Sequence, residues 1–557
     1  MYIYSKQFHR DAYFVALIIM IASIPLWRYA MSVMQFTLLG LWIWAGFSFK
    51  HSFELLGDNN LFRGIGRFLA YMGRLTARNF VGKFRIFFRN KAAMVLVSLF
   101  FIHVIGLIGT TDFAYAMKDL RTKLPLLALP IILVSMEKIS RQRFFIIMLA
   151  HAGAVFVGTL ISSWRLLGGE FNDIREIIFN ISHIRFSLNL CIAVFSLIYF
   201  IFLKNYFKVW TKLIFALGAL WLISFLMVLE SGIGLITLLT ITVLLLIYQI
   251  IRQKNPYLRF GLTAFVIIVP LALILYVYDI VREFNQVEPV NFEQLDKHTA
   301  LGNKYWHDTT SLGIEDGRYV GLYVAYDELG KAWNQKSEFK FEGKDKMGQD
   351  IKYTLIRFLT SKGYRKDAEG VSKLTEEEVD AIERGIANVN YLKNPSLRTR
   401  ISKIMIGYHN FKYAHDPNGS SILQRIEYWK ASVNLIKQHF WFGVGTGDVN
   451  SAFDQYYKRT DSPLKESNRY RSHNQYLSIW VALGFFGFLW FLFSLIYPPL
   501  KEKKLTEYFY FIFFVTILLS MLTEDTIETQ AGVTLFAFFN AFLLFGRKEQ
   551  TDEQKGM

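Results

Sequence analysis

Long apolar runs alternate with short basic connections through the first half of the chain and return near its end. A run of about 20 apolar residues, rising 1.5 Å each as a helix, is long enough to cross the hydrocarbon core of a bilayer. Helices are therefore expected at 13–28, 31–49, 92–110, 124–137, 144–163, 185–203, 212–230, 234–251, 260–279, 474–497, 508–522 and 531–546. Between the ninth and tenth lies a polar stretch, 280–473, rich in helix formers such as Leu374–Arg384 and poor in alternating runs. The pattern predicts an all-α integral membrane protein of about twelve transmembrane helices with one large, mostly helical loop lying over them. It divides the chain into 1–279 with helices one to nine, 280–473 as a loop domain, and 474–557 with helices ten to twelve and a tail. Inside the loop, 421–438 carries Ile422, Ile426, Trp429, Val433 and Ile436 at helical spacing, the signature of an amphipathic helix.

Charge sets the orientation. The connection after the second helix holds Arg63, Arg67, Arg74, Arg78, Lys83, Arg85, Arg89 and Lys91, which makes it cytoplasmic by the positive-inside rule. Its mixture of Phe and Arg also reads as an amphipathic stretch on anionic headgroups. Counting onward, 137–143, 204–212, 252–259 and 501–504 all fall inside and are basic or net basic. Both termini are then cytoplasmic, and the large loop lies outside.

Composition agrees. Of 557 residues, 53% are apolar and 19% charged, below the roughly 25% charged of a soluble domain. The net charge of +17 would suggest nucleic acid in a soluble protein. Here the bases fall between apolar runs and no compact basic module appears, so topology accounts for them and nucleic acid is set aside as a partner. Cys191 is the single cysteine and lies in an apolar run, which excludes an intramolecular disulfide and a thiolate metal centre. Lys6 and Arg10 precede the first apolar run without a small-residue cleavage site, so that run is expected to be a helix and not a cleaved signal.

Candidate chemistry gathers on the outer side. His473 and Asn474 stand at the mouth of the tenth helix. Histidine exchanges a proton readily near neutral pH and suits a general base; the same position also suits an interfacial histidine capping a helix. Arg185, Arg425 and Arg471 lie near outer helix ends, where the positive-inside rule makes cations less expected. Guanidinium binds phosphate in bidentate fashion, although snorkelling or a pair with an acid such as Glu427 is the alternative. Glu524, Asp525 and Glu528 join the last two helices and are placed to orient a histidine, bind a sugar hydroxyl, or simply form a polar turn. The glycine-rich Gly443–Gly447 lacks the Gly-Lys-Ser/Thr ending of a P-loop and the preceding strand of a dinucleotide site, which leaves a sharp turn whose amides are candidates for an anion. His409, His415 and Asp416 do not have the spacing of a common zinc site.

Arg425 with Trp429 four residues on, Gly443-Val444-Gly445-Thr446-Gly447, and His473-Asn474 followed by Gly484 and Gly487 together resemble the O-antigen ligase and polymerase superfamily. These are bacterial membrane glycosyltransferases of GT-C type, drawn with a dozen helices and a large periplasmic loop. The sequence departs from the ligase pattern after Gly487, where Phe488 and Leu489 follow, and at Trp429. The resemblance implies an inner-membrane enzyme with a periplasmic site. It implies a donor glycan on undecaprenyl pyrophosphate, a lipid A–core hydroxyl or other glycan as acceptor, membrane lipids as surroundings, and no cofactor or metal. By the same resemblance His473 is the base, Arg425 and Arg185 hold pyrophosphate, and Asn474, Arg471 and Glu528 support them. Polymerases and protein O-oligosaccharyltransferases share the donor and differ in acceptor. A lipid-linked glycan transporter or flippase is the reading of another class. It calls for internal repeats and mid-membrane charges, which the sequence shows little of.

Overall fold

The computed structural model describes residues 2–57, 60–169, 171, 174–310, 313–392 and 397–548. The chain forms two compact units. The first comprises 1–244, 425–462 and 469–557, and the second 245–424 with 463–468.

Each of the twelve expected segments falls on a helix. Among the described residues, six helices are long and apolar enough to cross a membrane: Arg141–Gly168, His183–Phe202, Val209–Val228, Gly232–Arg252, Pro256–Asn285 and Gln475–Lys501. A seventh span arises if Leu61–Arg89 and Lys91–Ile105, which meet at 100°, are counted as one. The remaining expected segments fall short by charge or by length: Tyr2–Ser23 carries Lys6, Arg10 and Asp11 in its first half, and Arg28–Ile43 has 16 residues. Tyr508–Thr523 and Gln530–Phe545 are apolar but have only 16 residues each. Phe113–Ser135 carries Lys118, Asp119, Arg121 and Lys123 in its first half, so its apolar stretch is short.

In the first unit, His183–Phe202 is the most enclosed of the six long helices, with 78% of its apolar window buried. Its Phe186, Leu190, Val194 and Leu197 pack with Val155, Leu222, Phe225 and Leu226 in one cluster. Small residues let helices approach: a Cβ on Gly234 would lie 2.9 Å from that of Ser187. Two side-chain caps begin the helices beside the 523–530 turn. Asn474 accepts from the Leu477 amide at 3.1 Å, and Thr529 accepts from the Gly532 amide at 3.3 Å. Each satisfies an amide that the first helical turn leaves without a partner.

The helix Gln475–Lys501 is broken at Gly484 (φ 67°, ψ −168°). The break frees carbonyls inside an apolar helix, where they must find donors. The glycine-rich segment supplies them: Val444 and Gly445 amides donate to Val481 and Ala482 oxygens at 2.9 Å, and Phe485 donates to Phe440 at 2.8 Å. Thr446 and Gly447 amides bond Gly106 oxygen at 2.8 Å and Thr110 Oγ1 at 3.2 Å. Four consecutive amides are thus engaged with the protein, so this turn does not offer them to an anion. A Cβ at Gly484 would meet Trp441 oxygen at 2.3 Å, and one at Gly443 (φ 72°) would meet Ala482 oxygen at 2.5 Å. The glycines of the motif make a clasp around a broken helix.

The second unit has its own core around Trp333, Leu329, Ile351, Leu355, Phe358, Leu359 and Ile382. Tyr326–Lys336, Ile351–Ser361 and Glu376–Glu383 supply most of it. One hairpin pairs Ile314 with Tyr319 and Glu315 with Arg318. Its turn is Asp316-Gly317 with φ 46° and 78°, the dipeptide and handedness that suit a two-residue hairpin. Glu315, buried at the hairpin, accepts from Arg357 at 2.9 Å and Asn388 at 2.7 Å.

The clasp makes a direct prediction. Gly484→Ala, which combines a left-handed backbone with a carbonyl clash, should cost at least about 1–3 kcal/mol. Gly66→Ala, in a helix with nothing within 4 Å of the added carbon, should be neutral or stabilising by up to about 1 kcal/mol. Thermal unfolding of the two variants in detergent compares them.

Candidate functional site

A cavity of about 410 Å³ opens in the first unit, lined by Arg185, Asn450, Phe453, Asp454, Arg469, Tyr470, Arg471, His473, Glu524, Asp525, Glu528 and Thr529. Four of the six site residues expected from sequence line it: His473, Arg185, Arg471 and Glu528. Arg425 reaches it through Glu524, and Asn474 through the backbone below His473.

His473 has φ 45°, a left-handed backbone uncommon outside glycine. Asp525 holds that conformation. Its carboxylate accepts from the His473 amide at 3.3 Å, the Asn474 amide at 3.1 Å and the Ser478 hydroxyl at 2.5 Å. Three donors on one carboxylate over-determine a conformation that costs about 1–3 kcal/mol by itself. Asn474 is the helix cap, and its side-chain Nδ2 donates to Leu522 oxygen at 3.0 Å. The capping role considered for His473 therefore belongs to its neighbour, and the imidazole is left for other work. That ring lies between Tyr428 and Tyr470, at centroid distances of 5.5 and 5.8 Å, and is about a third exposed (33%).

Glu524 stands beside it, with Oε2 3.6 Å from His473 Nδ1. That is an ion-pair separation, longer than a hydrogen bond, and Nδ1 has no hydrogen-bond partner. The same carboxylate accepts from Arg425 Nη2 at 2.8 Å and lies 3.8 Å from Arg185 Nη1. Burial raises the pKa of Glu524, but His473, Arg185 and Arg425 outweigh it and hold the carboxyl below its ordinary range. Arg425 also donates to Thr523 oxygen at 3.2 Å. Glu427, an alternative partner on its own helix, pairs with Lys430 at 2.6 Å.

Arg185 is 5% exposed. Its Nη2 donates to Asp525 backbone oxygen at 3.2 Å, while Nε and Nη1 are buried without a hydrogen-bond partner. Gly532 makes room for it, since a Cβ there would come within 3.0 Å of Nε. Arg185 is thus a buried guanidinium with two donors short of hydrogen-bond partners, on a residue that lines the cavity, which makes it a candidate to bind an anion.

Glu528 does different work from the orienting role open to it. It accepts from Lys123 Nζ at 2.7 Å and Gln475 Nε2 at 3.1 Å, and lies 3.6 Å from Arg471. Burial works against its charge, but the Lys123 and Arg471 cations hold it far below the usual carboxylate range. Burial likewise disfavours the Arg471 guanidinium, which Glu528 and Asp525 keep well above its ordinary value. Arg471 Nη1 donates to Tyr115 hydroxyl at 2.9 Å. Lys123, 1% exposed, also binds both oxygens of Asp119 at 2.6 and 2.7 Å. Sequence reasoning passed over Lys123 and Asp119. Their signal was a Lys and an Asp four apart, one helical turn, just before an apolar run.

The amphipathic helix is present as Ser421–Gln438. Of its predicted stripe, Ile436 is buried, while Ile422, Ile426, Trp429 and Val433 stay 37–43% exposed. The enclosed face carries Leu423, Tyr428, Ala431, Ser432 and Leu435 with Ile436. Among the described residues no group of three His, Cys, Asp or Glu is placed to hold a metal. The side chain of His409 lies outside the described set.

Residues 376–492 match the family model described as O-antigen ligase. The match covers about a fifth of the chain and takes in Arg425, the glycine clasp, His473 and the Gly484 break. It supports the superfamily of O-antigen ligases and polymerases. No curated protein matches the chain.

Two outcomes follow from the buried charges. Lys123→Met leaves Asp119 and Glu528 without their shared cation and should cost about 3–5 kcal/mol. The depressed pKa values of Glu524 and Glu528 mean that their ionisation stabilises the fold above the ordinary glutamate value of 4.5, and that this is lost as pH falls through the folded values. Melting temperature in detergent should therefore decline on the acid side. Glu528→Gln should lower it near neutral pH and flatten that decline.

Proposed function

We infer that this chain is an O-antigen ligase-type glycosyltransferase of the bacterial inner membrane. It moves a glycan from undecaprenyl pyrophosphate to a hydroxyl of lipid A–core at the periplasmic face. On this reading the twelve apolar segments form the membrane domain, both termini are cytoplasmic, and the loop of 280–473 is periplasmic. The observation that carries the reading is Arg185, buried with two donors open, on the wall of the cavity that holds His473.

The chemistry follows from the residues. The acceptor hydroxyl gives its proton to His473, and its oxygen attacks the anomeric carbon. The bond from that carbon to the pyrophosphate oxygen breaks on the opposite face, so the configuration inverts. The electron pair leaves on pyrophosphate, where Arg185 and Arg425 neutralise the growing charge. Pyrophosphate is a good leaving group, which leaves little for a general acid or a metal to add. With Nδ1 facing Glu524, the imidazole presents Nε2 to the hydroxyl, and Glu524 stabilises the imidazolium that forms. Asp525 fixes the backbone under the base, and Glu528 with Lys123 fixes Arg471. Polymerase and protein O-oligosaccharyltransferase chemistry uses the same donor half of this scheme with another acceptor.

The test is a lipopolysaccharide gel and a lipid-linked glycan extract from the host carrying His473→Ala. Loss of transfer by roughly 10²–10⁴ is expected for a general base, with insertion intact. Bare core together with polymer on the carrier lipid identifies the ligase. Core bearing a single repeat identifies the polymerase. Full activity in the variant overturns the reading.

A further inference from the structure

The helix Leu61–Arg89 does not line the cavity, yet among the described elements it has the most one-sided charge. It contains no acidic residue, and six of its seven basic side chains are exposed. These are Arg63, Arg67, Arg74, Arg78, Arg85 and Arg89. Their spacing alternates four and seven residues, so two interleaved sets each repeat every eleven. Eleven residues make close to three turns. At about 100° per residue all six arginines fall within an arc of roughly 80°, in a stripe about 39 Å long.

The opposite side of the first turns is apolar and open. Leu61, Phe62, Ile65 and Leu69 are 63, 87, 39 and 61% exposed. Lys83, the one base off the stripe, is buried and donates to the Trp42 carbonyl. The far end of the helix is thereby tied to its own unit, with Phe80 and Phe84 against the Trp42 ring at 5.1 and 5.7 Å. At Asn90 the chain turns through 100° into Lys91–Ile105, and Asn90 caps that helix at 2.8 Å. An apolar face needs a medium without water, and six cations in a line need a surface of distributed negative charge. An acidic protein or a nucleic acid meets the second need and leaves the first open. A bilayer surface with anionic headgroups meets both.

We propose that Leu61–Arg89 is an interfacial helix that binds anionic phospholipid headgroups through its arginine stripe, with Leu61, Phe62, Ile65 and Leu69 in the acyl boundary. This anchor is independent of the glycosyl-transfer reading. It sets the depth and tilt of the Lys91–Ile105 helix that follows.

Hydrogen exchange of the full chain in lipid nanodiscs tests it. With phosphatidylglycerol added to phosphatidylcholine, amides of 61–78 should exchange at least about fivefold more slowly than in phosphatidylcholine alone, the gain in affinity that a single arginine at the surface contributes. The difference should shrink at about 0.5 M salt and vanish in the combined variant R63Q, R67Q, R74Q and R78Q. Equal exchange in the two lipid compositions overturns the proposal. Protection produced by a polyprenyl phosphate in phosphatidylcholine discs, and not by phosphatidylglycerol, also overturns it. If the fourfold variant does not insert, the lipid and salt series on the natural chain decides alone.

Discussion

The carboxylate of Asp525 governs the geometry of the cavity. It accepts the amides of His473 and Asn474 and the hydroxyl of Ser478, and so joins the turn between the last two helices to the mouth of the broken one. A left-handed histidine stays in place because three hydrogen bonds act on one group. Its neighbours in the same turn, Glu524 and Glu528, then face two different sets of cations. Glu524 meets Arg185 and Arg425, and Glu528 meets Lys123 and Arg471. One acidic turn thus organises four basic residues that come from distant parts of the chain.

This arrangement separates two uses of buried charge. The group around Glu528 is closed: Lys123 and Glu528 are almost without exposure, and the charges of Asp119, Lys123, Glu528 and Arg471 balance. Such a group fixes position and is destabilising when broken. Around Glu524 the group is open. Two donors of Arg185 and Nδ1 of His473 lack hydrogen-bond partners there, and these residues line the cavity. An internal carboxylate that an incoming phosphate can rival for Arg185 and Arg425 is consistent with a site that is pre-formed without donor and opens to it.

Much of the helical layout was legible, because apolar runs report burial in protein or lipid without reference to partners. Their lengths were less so: a run can be apolar for 16 residues and still end in the turn that builds the site, as Tyr508–Thr523 does. The hairpin at Asp316-Gly317 was marked by its dipeptide and obscured by strands of two residues each. Glu524, Asp525 and Glu528 were visible as a cluster, but which of them faces His473 depends on pairing across some fifty residues, and spacing along the chain does not carry that. Lys123 with Glu528 is separated by 405 positions. The glycines misled in the opposite direction. Their positive φ and close contacts serve a helix break, and a glycine-rich turn looks the same in sequence whether its amides meet an anion or a carbonyl.

The central claim is that Arg185 and Arg425 receive the pyrophosphate of the donor lipid beside His473. A cryo-electron microscopy structure of the protein with undecaprenyl pyrophosphate tests it most directly. The expected result is diphosphate density within hydrogen-bonding distance of Arg185 Nε and Nη1, with the Glu524 side chain drawn off Arg425. Diphosphate bound elsewhere, with the Glu524 contacts unchanged, would contradict it.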